Sequence, residues 1–499
     1  MAAIVLTTLN ARYIHAAFGL RYLKANLDEL ERDCTIIEFT IHERPIDIAE
    51  RLLHGKPRII GFGVYIWNVE EITKTIALIK QVSPATTIVV GGPEVSYEQE
   101  QQAVCRLSDY VIAGPADLAF RDLCRQLFAG PTPPGKFLPQ HIPQPEELKF
   151  PYSLYSDEDV AHRVIYVEAS RGCPFKCEFC LSALDRSASP FELDRFLAEL
   201  DRLYRRGVRH FKFVDRTFNL KIDNSIRILE FFLARMDDGL FLHFELIPDH
   251  LPERLKQVIK RFPAKSLQFE IGIQTFNPDT QRLISRRQDA QKTEANLVWI
   301  RNETHAHIHA DLIIGLPGES VASFAAGLNR LVQLDPHEIQ VGILKRLRGA
   351  PLVRHVDEHE MRFNPLPPYN ILSNNLIDFG VMQRLNRFAR YWDMIINSGR
   401  FKHSKSIILA DDPFHRFMRL SDWLYEVTGQ THRIALKRLF ELVHQGLVRQ
   451  LDGDLNETSR HVALDYRASG LKGIPSFDQG NCTPPASVKH ASKRRQLRH

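Results

Sequence analysis

The stretch RGCPFKCEFC, residues 171–180, places Cys173, Cys177 and Cys180 within eight positions, whereas the other four cysteines, Cys34, Cys105, Cys124 and Cys482, are scattered over 499 residues. Thiolates bind soft metals and iron–sulfur clusters, and spacings of four and three in a loop let one short segment wrap a single cluster. No fourth cysteine or histidine stands nearby at the spacing a structural zinc needs. Gly172 and Pro174 mark the segment as a loop, so the thiols are expected near solvent rather than packed as ordinary core residues.

Immediately before the loop, RVIYVEAS (163–170) reads as a β-strand. Five more strand-like runs follow, HFKFVDRTF, FLHFELIP, SLQFEIGIQTF, HIHADLIIGLPG and EIQVGILKRL, separated by amphipathic helical segments. Six β/α repeats fall short of an eightfold barrel, so a partial (β/α)6 TIM-like barrel over residues 164–349 is expected, with its ligand site at the carboxyl ends of the strands. The cysteine loop caps that end.

Working back toward the N-terminus, residues 131–151 hold Pro131, Pro133, Pro134, Pro139, Pro143, Pro145 and Pro151, a density that bars helix interior and central strand alike. A linker is expected over 131–163. Before it, AIVLTTL, CTIIEFT, RIIGFGVYI, TIVVGG and DYVIAGP alternate with helical stretches, which implies an α/β domain over 1–130 built on a doubly wound parallel sheet of five strands. Beyond the barrel, 350–470 reads as a mainly helical region to which no chemistry is assigned, and 471–499 as a basic, disordered tail.

Composition narrows the function. With 44% hydrophobic and 25% charged residues, and no apolar run near ~18 residues, no membrane span is expected. The N-terminus lacks the basic segment and cleavage site of a secretory signal, so a cytoplasmic protein is expected, and an odd cysteine count argues against a disulfide framework. The net charge of +5 is matched by Lys489, Lys493, Arg494, Arg495 and Arg498 of the tail, so there is no global basic signature and nucleic acid is not an expected partner.

The spacing Cys173-x3-Cys177-x2-Cys180, with Phe179 before the third thiol, resembles the signature of the radical S-adenosylmethionine (SAM) enzymes. The resemblance implies a 4Fe-4S cluster whose open iron chelates the amino and carboxylate groups of SAM. Electron transfer then cleaves SAM to methionine and a 5′-deoxyadenosyl radical that abstracts hydrogen from substrate. It also implies an external electron donor such as flavodoxin or ferredoxin. Along the later strands it implicates Asp215, where the family's Gly-Gly-Glu form is missing, Glu245 on the third strand and Gln274 on the fourth. Gly315, in DLIIGLPGES, stands where the fifth strand's backbone flanks adenine. Each acid or amide has the alternative of stabilising the barrel, and Gly315 and Gly318 that of an ordinary turn.

Over residues 1–350 the architecture resembles the cobalamin-dependent branch of that superfamily. There the first domain cradles cobalamin, and a glycine pair after the fourth strand, here Gly91 and Gly92 of VVGGPEV, lets the nucleotide tail approach the backbone. The Asp-x-His-x-x-Gly frame that supplies a cobalt ligand is absent from LNARYIHAAFG, which leaves His15, at the start of an apparent helix, as a packing residue or a ligand. Tyr65 and Trp67 either pack on a corrin face or fill an interface. The implied function is modification of an unactivated carbon of an unknown, small-molecule substrate, with methyl transfer favoured. Two alternatives stand beside it. One is a methylthiotransferase-like RNA modification enzyme, whose second cluster would need Cys34, Cys105 and Cys124 together. The other is a non-catalytic iron–sulfur sensor using the basic tail.

Overall fold

The structure is a computed structural model that describes residues 2–130, 135–139 and 141–477. Pro131, Pro133 and Pro134 of the expected linker and residues 478–499 of the expected tail lie outside them. No helix among the described residues is long and apolar enough to cross a membrane.

The first sheet is parallel and holds six strands: β1 (Ile4–Asn10), β2 (Cys34–Thr40), β3 (Ile59–Gly63), β4 (Thr87–Gly91), β5 (Tyr110–Ile112) and β6 (Phe137–Leu138), in the order β2-β1-β3-β4-β5-β6. The expected count of five is thus one short. β6 has two residues and sits inside the proline-rich stretch, at the sheet edge where proline is tolerated, and is too short to leave a periodic signal. The order reverses between β1 and β3, which makes the sheet doubly wound.

Both faces of this sheet are buried, so its strands read as continuous apolar runs. Alternate residues part to opposite sides: Val5, Leu9, Ile60, Phe62, Ile88, Val90 and Val111 pack with helices Pro45–Leu53 and Val69–Val82. Ile4, Leu6, Ile59, Val89, Tyr110 and Ile112 pack instead with Leu20, Phe120 and Leu123 of helices Phe18–Ala25 and Asp117–Ala129.

The chain continues through β7 (Ile165–Val167), the short hairpin strands β8 (Ser170–Arg171) and β9 (Ser189–Pro190), then β10 (His210–Phe213), β11 (Phe241–Leu246), β12 (Leu267–Gln274), β13 (His307–Ile314) and β14 (Glu338–Ile343). The second sheet has the order β14-β13-β12-β11-β10-β7, six strands in sequence order with a helix between neighbours, which is the partial barrel. Four long helices, Phe379–Ile395, Pro413–Thr428, Leu436–Gln450 and Leu455–Ala468, make the C-terminal region mainly helical.

Two compact units divide the described chain. One comprises the chain up to Phe244 with Arg346–Val353 and Asn364–Tyr369; the other comprises Glu245–Lys345, Arg354–Phe363 and the chain from Asn370 onward.

Candidate functional site

In the first unit the cysteine loop leaves β8 and is tied back by the Cys173 N–H, which donates to the Asp185 carbonyl at 2.7 Å. Cys173 and Cys177 are only 9% and 8% exposed, and Cys180 is half-buried. The expected solvent-proximal thiols are therefore largely enclosed, because residues 181–190 fold over the loop and pair β9 with β8. Burial pushes the Cys173 thiol up, and the nearby Cys180 and Cys177 push it further. As thiolates the three would repel one another, and with two of them buried the set would be stable only around positive charge, which suits an iron–sulfur cluster.

Among the described residues, the group whose ligand atoms all crowd within 4.8 Å, as a single ion requires, is His355, Glu358 and His359; the three thiols are not part of it. The other three described cysteines offer no second cluster. Cys34 opens β2 and packs with Cys124, on helix Asp117–Ala129, in the core on one face of the first sheet, whereas Cys105 lies on a short helix in the core on the other face. Burial raises all three thiols, Cys34 to about 12 and Cys105 to about 11.

Asp215, two residues beyond β10, is buried with its carboxylate engaged: it accepts from the Ser170 hydroxyl at 2.6 Å and from the Ala169 N–H at 2.9 Å. Burial pushes its carboxyl up to about 7, against the pull of these donors. It thereby holds the strand end that leads into the cysteine loop.

A cavity of about 400 Å³ opens in the same unit. Its floor is the face of the first sheet packed by helices Phe18–Ala25 and Asp117–Ala129. The register sets Gly61 beside Leu6 and Val89, Gly63 beside Gly91, and Gly91 beside Ile112. Glycines at alternate strand positions share one face. At Gly61 the space is taken by Leu6 and Phe120; at Gly63 and Gly91 a side chain would find only ordinary contacts, so the slot stays open there.

Gly91 and Gly92 both line the cavity, but Gly92 is glycine for a local reason. Its φ is +111°, and a Cβ would stand 2.6 Å from the Val64 carbonyl oxygen. The sequence reading missed Gly61 and Gly63, although Gly-x-Gly inside an apolar strand, where glycine weakens pairing, was the available signal.

The opposite wall comes from the approach to the cysteine loop: Glu168, Ser170, Arg171, Gly172, Ser182 and Asp185. Arg171 was also missed. Its guanidinium donates to Asp117 and Glu168, each at 2.9 Å, and so bridges the N-terminus of helix Asp117–Ala129 to the loop. Tyr65 lines the cavity and stacks on Trp67 with ring centroids 4.5 Å apart. His15 does not line it. The helix begins only at Phe18, and His15 Nδ1 lies 2.7 Å from the Tyr166 hydroxyl, a packing role.

In the second unit Gln274 ends β12 at φ +68°, where the register slips past Gly272, and its buried Oε1 has no partner. A side chain on Gly272 would collide with the Gln274 amide, which folds back over it. Arg286 donates to the Gly272 carbonyl. Glu245 is half-buried on β11. Gly315 follows β13 at φ +90°, and a Cβ there would meet Ile371, so a turn and a close approach both require glycine.

Two further acids, buried Glu319 and half-buried Asp311, had not been singled out. Glu319 accepts from Thr275 and Ser323 through one oxygen and leaves Oε2 buried without a partner; burial pushes its carboxyl up to about 7. Asp311 lies 3.1 Å from His309, and although burial opposes a charged imidazole, Asp311 outweighs it and raises His309.

Comparison with known proteins decides the relationship. The B12 binding domain family matches residues 4–124 and the radical SAM superfamily matches residues 167–331. The chain belongs to the cobalamin-binding radical SAM enzymes. Residues 357–492 match a further family described as a protein of unknown function.

Among relatives of this cobalamin-binding radical SAM protein, an uncharacterized methyltransferase of Pyrococcus horikoshii is 25% identical over 361 residues, 67% of this chain and 77% of the relative. The cobalamin-dependent radical SAM methyltransferase TokK of Streptomyces tokunonensis is 24% identical over 63% of this chain, and the match spans only 51% of TokK. The structure of the cobalamin-dependent S-adenosylmethionine radical enzyme OxsB, with aqua-cobalamin and S-adenosylmethionine bound, aligns at a TM-score of 0.61 and 15% identity, covering 93% of this chain and 84% of OxsB. The likeness to OxsB is one of fold.

Proposed function

We propose that this chain is a cobalamin-dependent radical SAM enzyme that modifies an unactivated carbon of a small-molecule substrate, with methyl transfer as the favoured outcome. The observation that carries the reading is the cavity in the first unit whose floor is the glycine-bearing face of the B12-type sheet and whose opposite wall is the approach to the cysteine loop. A methylthiotransferase would need a second thiol cluster, and Cys105 packs on the opposite face of the first sheet from Cys34 and Cys124. A sensor would need no such cavity.

When bound, the cluster supplies the electron that cleaves SAM, and cobalamin carries the methyl group. The chain's own residues do the rest. Cys173, Cys177 and Cys180 hold the cluster, and Asp215 sets the loop's entry through Ala169 and Ser170. Arg171, paired with Asp117 and Glu168, holds one wall of the cavity. Gly63 and Gly91 keep the slot open for the nucleotide tail, while Phe18, Leu20 and Tyr22 line it with apolar surface that excludes water. Gln274 presents a buried amide oxygen to SAM; Glu245 and the backbone at Gly315 are further SAM contacts in this reading.

The domain arrangement proposed with it is 1–130, 131–163, 164–349 and 350–470, with a cytoplasmic setting and a flavodoxin- or ferredoxin-type donor. The reading is tested by anaerobic reconstitution with iron, sulfide and cobalamin. SAM carrying an isotopic label in its methyl group is then added with cell extracts, and products are followed by mass. Label in a product supports methyl transfer; 5′-deoxyadenosine with unlabelled, rearranged product leaves the radical chemistry standing and removes methyl transfer; neither product overturns the reading.

A further inference from the structure

In the second unit, remote in sequence from the cysteine loop, HVDEHEM (355–361) forms one helix-like turn: the His359 N–H donates to the His355 carbonyl at 3.1 Å and the Met361 N–H to the Val356 carbonyl at 2.8 Å. Residues at i, i+3 and i+4 of such a turn share a face, and ligand atoms of His355, Glu358 and His359 lie within 4.8 Å of one another. From this geometry we propose that His355, Glu358 and His359 bind one divalent transition-metal ion of the zinc class, separate from the iron–sulfur cluster.

Each ligand is presented as a metal site requires. His355 is buried, and its Nε2 lies 3.1 Å from the Leu283 carbonyl. A carbonyl only accepts, so Nε2 carries the proton and Nδ1 is the nitrogen with a lone pair; metal-bound histidines are oriented in this way by an outer carbonyl. The Arg354 Nε–H also points at this Nε2, from 3.4 Å, as a competing donor; the carbonyl contact at 3.1 Å is the shorter of the two. His359 is half-buried, its Nε2 is enclosed without a hydrogen-bond partner, and its ring centroid is 5.9 Å from that of His355.

A buried imidazole nitrogen without a partner costs free energy that a metal bond recovers. The turn is anchored from outside by the Asn375 N–H, which donates to the His359 carbonyl at 2.9 Å, so the ligand spacing is set before any ion arrives. Two neutral imidazoles and one carboxylate suit Zn²⁺, with exposed Glu358 leaving a coordination position toward solvent for water.

The test uses the full-length protein with its cluster in place, so that the thiols are already occupied. After dialysis against Zn²⁺, zinc and iron are counted per chain and the zinc environment is read by X-ray absorption. One zinc per chain with a nitrogen/oxygen shell at about 2.0–2.1 Å and no sulfur is expected. Losing an outer-shell partner costs about 10- to 100-fold in affinity, so losing a direct ligand in His359→Ala or Glu358→Gln should cost at least that, with iron content unchanged. Glu358 is exposed, so Glu358→Gln keeps the test valid if His359→Ala does not fold. Zinc should also raise the thermal midpoint of the unaltered protein but not of Glu358→Gln. A sulfur shell near 2.3 Å, equal zinc in all three proteins, or no zinc above the blank would overturn the site.

Discussion

The Asp215 carboxylate accepts a hydrogen bond from the Ser170 hydroxyl at 2.6 Å, three residues before Cys173. Since β10 pairs with β7 at Phe213 and Val167, this acid joins two neighbouring strand ends where the cysteine loop begins.

That contact carries a pH dependence. Burial raises the Asp215 carboxyl from 3.8 to about 7, so the folded protein holds a proton that the unfolded chain gives up. Stability from this group is then fullest below its ordinary value and falls as pH rises through about 7, by about 1.4 kcal/mol for each pH unit between the two values. Asp215→Asn removes the dependence. Its urea midpoint should gain on the unaltered protein from pH 5 to pH 8; a constant difference across that range would refute the assignment.

Gly91 and Gly92 should respond differently to substitution. At Gly92 even alanine meets the Val64 carbonyl at a positive φ, so Gly92→Ala should lower stability by about 1–3 kcal/mol whether or not cobalamin is present. At Gly91 a Cβ meets only the Ile112 carbonyl at 3.6 Å, so Gly91→Leu should fold and fill the slot. Cobalamin retained by Gly91→Leu at the unaltered level, measured by absorbance after desalting, would remove the slot from the binding site.

Alanine at Cys173, Cys177 or Cys180 should abolish cluster iron, whereas alanine at Cys34, Cys105 or Cys124 should leave it intact. In the folded protein at pH 8, the latter three thiols should resist alkylation, because burial both encloses them and disfavours the thiolate. Rapid labelling of any of them, or iron loss on its replacement, would reopen the question of a second cluster.

Gln274→Ala removes a buried amide whose oxygen has no protein partner. A hydrogen bond to a charged group contributes about 1.5–3 kcal/mol, so formation of 5′-deoxyadenosine should slow by about 10- to 100-fold with iron content unchanged. An unaltered rate would make Gln274 a barrel-stabilising residue only.

The strands of both sheets were legible because a parallel sheet covered on both faces writes itself as short β-branched runs between amphipathic segments. Cys34–Thr40 and Phe241–Leu246, for instance, lie within the runs expected. β6 was not, since two residues beside prolines carry no period. In the site, the thiols were legible from spacing alone. Arg171, Arg286 and Glu319 were not, because each acts through partners that only folding brings near: Asp117 lies 54 positions from Arg171, and Thr275 lies 44 from Glu319.

By itself, then, the sequence determined the order of the two β/α repeats and the cluster-bearing loop, because local periodicity and ligand spacing are properties of neighbouring residues. Tertiary structure alone decided that two of the thiols are enclosed and that Gly92 serves its own turn. It alone showed that Gly63 and Gly91 leave a slot against helices Phe18–Ala25 and Asp117–Ala129, and that Asp215 and Arg171 hold the loop that faces it. Those facts depend on which distant backbones and charges are brought within a few ångströms, and on the water removed when they meet.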